Sequence, residues 1–144
     1  MPRLTRWFLS CAMIYLVTGA AAGAALMLGR ATGDSPPPSW LLPLHIEFML
    51  TGWAVQLAMG IAYWILPRHK VEPSRGNPVL SWCAFAIFNV GVLLSASAGG
   101  APFWPVATLG HGAEAAGVLT FAAATWRRLP RSISLTGTSL PIIG

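Results

Sequence analysis

Of the 144 residues, 55% are hydrophobic and 9% charged, where a soluble domain carries about 25% charged side chains. Together with a mean hydropathy of +0.63, this excludes an ordinary water-soluble domain and makes lipid the expected solvent. The formal charge of +5 does not point to nucleic acid, because the basic residues stand at the ends of apolar stretches rather than along one face.

Residues 7–28 carry no charge and suffice to span a hydrocarbon core of about 30 Å. Arg3 and Arg6 ahead of the stretch and Ala-rich sequence behind it also give the outline of a signal peptide. We read it as a retained first helix. Gly19 and Gly23 form a G-x-x-x-G pattern, which permits close helix approach, either in a dimer or within the bundle. Residues 29–39 contain three consecutive prolines and read as a loop. Residues 40–66 form the second span and are followed by a charged loop with three prolines. Residues 79–98 form the third span, broken by Gly-Gly-Ala-Pro. Residues 104–126 form the fourth, closed by Arg127, Arg128, Pro130 and Arg131. The expected fold is an all-α, up-down four-helix membrane bundle over residues 1–131, with an uncharged, Ser/Thr-rich tail at 132–144. Cys11 and Cys83 lie in apolar stretches outside any C-x-x-C or C-x-x-C-H motif and are expected to be buried free thiols.

Orientation follows from the placement of Lys and Arg. Arg3, Arg6, Arg68, Lys70, Arg75, Arg127, Arg128 and Arg131 fall on one side of the expected bundle, and only Arg30 on the other. The positive-inside rule makes the first side cytoplasmic, with both termini there and the chain a multi-pass protein of the cell inner membrane. Trp7, Trp64, Trp82 and Trp126 then mark the inner interface, Trp40 and Trp104 the outer one.

Ionisable side chains within a span are costly and commonly functional. Four occur here: His45 and Glu47 on the second helix, His111 and Glu114 on the fourth. His69, in the basic inner loop, is expected to be solvated. His45 stands five residues below Trp40 and His111 seven below Trp104, depths of about 7.5 and 10.5 Å. Two imidazoles at matched depth on parallel helices are placed to ligate a planar macrocycle through its iron, one from each side. Gly52 and Gln56 continue the face of His45, and Gly110 and Gly112 flank His111, leaving room for a flat ring. A metal bound directly by these residues is the rival use. However, Glu47 is about 200° around the helix from His45, so one ion cannot readily take both. Glu114 shares the face of His111. Both carboxylates are therefore assigned to supporting the ligands or handling protons. Arg30, the one basic residue on the outer side, suits a heme propionate.

The segment from His45 to Arg68, HIEFMLTGWAVQLAMGIAYWILPR, resembles the second transmembrane helix of heme-copper oxidase subunit I. It is closest to the branch of C-type oxidases and nitric oxide reductases. There a histidine opens the helix, Gly-Trp follows, and Gly-x-x-Tyr/Trp-x-x-Pro-Arg closes it. The resemblance covers 24 of 144 residues and implies that His45 is an axial ligand of a low-spin heme. It does not extend to the sequence around His111. The family has about twelve helices and a second metal centre with its own histidines, whereas this chain has three in all. Independent reduction of oxygen or nitric oxide is therefore not expected.

The expected function is that of a small relative of this family. It would bind one non-covalent heme b through His45 and His111 and carry electrons as a subunit or partner of a respiratory or quinol-linked complex. Candidate partners are lipid, a second copy, a larger respiratory complex and a quinone. The alternatives from other classes are a cofactor-free structural or assembly subunit, and a heme-based gas or redox sensor.

Overall fold

Residues 1–33, 36–66, 77–99 and 104–126 are described in a computed structural model. They form four helices: α1 (Arg3–Thr32), α2 (Leu41–Ile65), α3 (Pro78–Ala98) and α4 (Trp104–Thr125). The chain is all-α over these residues. The first three helices are each long and apolar enough to cross a membrane, which makes the chain a multi-pass membrane protein. α4 has the length, at 22 residues, but carries His111, Glu114, three threonines and three glycines, and these dilute its apolar character. His69, the six basic residues from Arg68 to Arg131 and the tail lie outside the described residues.

α1 extends past the expected 7–28 by a turn at each end, so Arg3, Arg6 and Arg30 are helical. Thirty residues rise about 45 Å, the full bilayer including headgroups. Long Arg side chains keep their charge in water while the backbone stays helical, so an Arg does not mark the helix end. The stop is Gly33, whose left-handed φ of 68° suits the residue after a helix C-terminus. α3 begins with Asn77 as its cap, accepting hydrogen bonds from the N–H of Val79 and Leu80, and with Pro78 in its first turn. In α2 the stretch Phe48–Val55 is π-helical. The wider turn changes the angular register between His45 and Glu47, just before it, and Gln56, just after it.

Neighbouring helices pair antiparallel. Along α1 and α2, Phe8 meets Gly60, Tyr15 meets Gly52, Gly19 meets Met49 and Gly23 meets His45. Along α3 and α4, Phe88 meets Gly117 and Ser95 meets Gly110. The two hairpins join through an aromatic core. Phe8 of α1 packs edge-on against Phe85 of α3 and Phe121 of α4, with ring centroids 5.0 and 5.9 Å away. Tyr63 of α2 also faces Phe121. In lipid, such van der Waals contact rather than a hydrophobic drive holds helices together. Trp7, Trp64, Trp82, Trp126, Trp40 and Trp104 are all exposed on the outer surface, as interfacial anchors should be. Cys11 is partly buried and Cys83 exposed, so the expected burial fails for the second thiol. Cys83 belongs to the face of α3 turned away from the other helices.

Candidate functional site

Among the described residues, the histidines and glutamates lie in two places, on two faces of α2. His45 points to α1. Its Nδ1 lies 2.8 Å from the carbonyl oxygen of Gly19, and a carbonyl only accepts, so Nδ1 carries the hydrogen and the lone pair sits on Nε2. The ring can approach α1 this closely because Gly23 has no side chain: a Cβ there would come within 2.6 Å of His45 Cε1. Of the uses open to the G-x-x-x-G pattern, the structure shows packing within the chain. Beside the ring runs an apolar groove of about 430 Å³ between α1 and α2, walled by Ala20, Gly23, Leu26, Leu42 and Met49, with Arg30 and His45 among its lining residues. Met27 and Leu42 at its edge are exposed, so the groove opens toward lipid. Its volume is within the range of ligand pockets.

The second place lies between α2, α3 and α4. Glu47 leaves α2 on the face away from His45 and approaches His111 of α4, with 4.0 Å between its Oε2 and the imidazole Nδ1. Glu114, one turn further along α4, has its Oε2 3.3 Å from the same nitrogen. Ser95 of α3 donates from Oγ to Glu114 Oε1 at 2.6 Å. That hydrogen bond uses the serine's only hydrogen, so toward Nδ1 of His111, 3.2 Å away, Ser95 can only accept. With acceptors alone around it, Nδ1 of neutral His111 carries the hydrogen and Nε2 keeps the lone pair. Glu114 is buried, whereas the side chain of His111 is 59% exposed. The backbones of α3 and α4 come close enough for the serine bond because Gly91 and Gly110 lie at their crossing. A Cβ on Gly91 would stand 2.6 Å from the backbone nitrogen of Glu114.

The structure thus groups the expected residues as His45 with Arg30, and His111 with Glu47 and Glu114. It does not bring the two imidazoles into one cluster; they flank α2 from different sides. Glu47 and His45 diverge as their two-residue spacing requires, and Glu114 shares the face of His111. Gly52 and Gln56 face α1 but do not line the groove. The space over Gly52 is taken by Tyr15, and Gln56 is buried with its amide 3.4 Å from the Phe8 carbonyl. Gly112 faces open space. Ser95 escaped the sequence reading. A polar residue midway along an apolar span is a weak signal alone, but it stands opposite Glu114 in the antiparallel α3–α4 pair.

The helices define a multi-pass membrane protein with two polar sites flanking one helix. Comparisons of the chain with protein-family models, with curated proteins and with solved structures return no match.

Proposed function

We propose that this chain is a membrane-bound b-type heme protein that carries single electrons as a subunit or partner of a respiratory or quinol-linked complex. In this reading α4 is a fourth span, both termini are cytoplasmic, and the membrane is the inner one. The observation that carries the proposal is the pairing of His45 with Arg30 on one apolar groove. His45 presents an Nε2 lone pair, with Nδ1 held by a carbonyl in the way that fixes a ligating imidazole. Arg30 offers a bidentate cation for propionates at the same groove. The residues present therefore fit one face of a heme. Its iron would supply a reversible one-electron couple, while His45 holds it and the apolar wall excludes water.

His111 is the candidate for the second axial position, because its Nε2 is likewise the free nitrogen. Its placement with Glu47 and Glu114 favours a second form of the same reading: a five-coordinate heme on His45 alone, open to a gas ligand, as in a sensor. An absorption spectrum of the purified chain tests both. A Soret band lost in His45→Ala and kept in His69→Ala is expected. His111→Ala converts low-spin to high-spin character if His111 is the second ligand and leaves the spectrum unchanged if it is not. Heme retained in full by His45→Ala, or a colourless wild-type chain given heme, would overturn the proposal and favour a cofactor-free subunit.

A further inference from the structure

We propose that Glu47, His111 and Glu114 form a binding site for a divalent transition metal, independent of the groove at His45. One ligand atom from each residue lies within 4.8 Å of the other two. Four donors about 2.1 Å from a tetrahedral ion stand about 3.4 Å apart. The separation of His111 Nδ1 from Glu114 Oε2, 3.3 Å, already meets this, and that from Glu47 Oε2, 4.0 Å, closes with a small side-chain rotation.

Charge supplies the second argument. Two carboxylates lie nearly buried inside an apolar bundle, and among the described residues their ion-pair partner is His111, not a Lys or Arg. Leaving such charge uncompensated is expensive. One divalent ion balances two carboxylates and leaves a neutral site. Glu47 Oε1 is moreover buried without a hydrogen-bond partner, an acceptor that a cation would satisfy. The donor set, one nitrogen and two carboxylate oxygens, suits zinc, manganese or ferrous iron better than calcium, which takes six to eight oxygens. The exposed edge of His111 leaves a side open for entry and for a fourth ligand. Binding exchanges the Nδ1 proton of His111 for the metal.

A neutral imidazole has one lone pair, so His111 serves this metal or a heme iron, and its neighbours assign it to the metal. With the metal bound, a heme on the groove would keep His45 as its protein ligand and draw no second one from His111. The metal would also tie α4 to α2, whose contact elsewhere is made by Tyr63 and Phe121.

The test uses the full chain purified in detergent, stripped with a chelator and titrated with Zn²⁺, bound metal being measured by mass spectrometry. Mn²⁺ serves as competitor. About one zinc per chain is expected. Glu47→Gln, Glu114→Gln and His111→Ala should each bind at least about tenfold more weakly, counting only variants that remain monodisperse and helical. On the wild-type chain itself, zinc should protect His111 from diethyl pyrocarbonate. His45→Ala should lose heme and keep zinc. Unchanged zinc affinity in the Gln variants, no saturable binding by the wild type, no protection of His111, or joint loss of zinc with heme in His45→Ala would each overturn the site.

Discussion

At the scale of single residues, two glycines in comparable helices have opposite environments. Gly23 is the floor on which His45 lies, and a methyl there would collide with Cε1 and Nδ1 of the ring at 2.6 and 2.8 Å. The imidazole would have to swing away and give up the Gly19 carbonyl. Overpacking of this kind costs about 1–3 kcal/mol. Gly112 meets nothing within 4 Å, and replacing an open helical glycine by alanine gains about 0.5–1 kcal/mol. Thermal unfolding in detergent should therefore move in opposite directions, down for Gly23→Ala and up for Gly112→Ala. Heme affinity should fall in the first only. Equal shifts would mean that His45 does not rest on Gly23. In the sequence Gly112 adjoins His111 while Gly23 stands 22 residues from His45, so proximity along the chain singles out the wrong glycine. What differs is the partner across the helix pair, which only the fold supplies.

At the scale of elements, α1 and α3 are joined by a hydrogen bond within the apolar interior. Tyr15 donates to Asn89 Oδ1 at 3.1 Å, while Asn89 Nδ2 donates to the Phe85 carbonyl at 2.8 Å. Interhelical bonds in membranes contribute less than their setting suggests, about 0.6 kcal/mol on average and about 1.7 at most, because the separated helices also find partners. A double-mutant cycle of Tyr15→Phe and Asn89→Ala, followed by unfolding in mixed micelles, should return a coupling in that range. A coupling near zero would leave the aromatic core as the join between the hairpins. The helices themselves were legible to within a residue or two for α2, α3 and α4, since apolar runs bounded by Pro and Gly leave few choices. The π-helical turn of α2 was not, because no residue preference in Phe48–Val55 marks it. That turn begins one residue past Glu47 and shifts the register of Gly52 and Gln56 relative to His45, so their absence from the groove was not legible. The divergence of His45 from Glu47 and the shared face of His111 and Glu114 followed from helical spacing alone. The company each pair keeps did not.

At the scale of the whole molecule, the basic residues of the described helices stand at the two ends of α1. Arg3 and Arg6 begin α1 and Arg30 ends it, about 36–40 Å apart along a straight helix. They therefore lie at opposite faces of a bilayer. The remaining six basic residues occupy 68–75 and 127–131, beyond the ends of α2 and α4. α1 and α2 pair antiparallel, so the end of α2 returns to the level of Arg3 and Arg6. On the proposed four-span topology, eight basic residues would fall to two termini and one loop, and one to the opposite side. Lys and Arg near span ends are retained in the cytoplasm, so Arg30 and the mouth of the His45 groove should face outward. In a background with Cys11 and Cys83 replaced by Ser, Ser39→Cys should react with an impermeant maleimide added to intact cells. Ser74→Cys should react only after the membrane is opened. The reverse pattern would place Arg30 and the groove at the cytoplasmic surface, and any electron donor or acceptor for a heme there would have to be sought on that side.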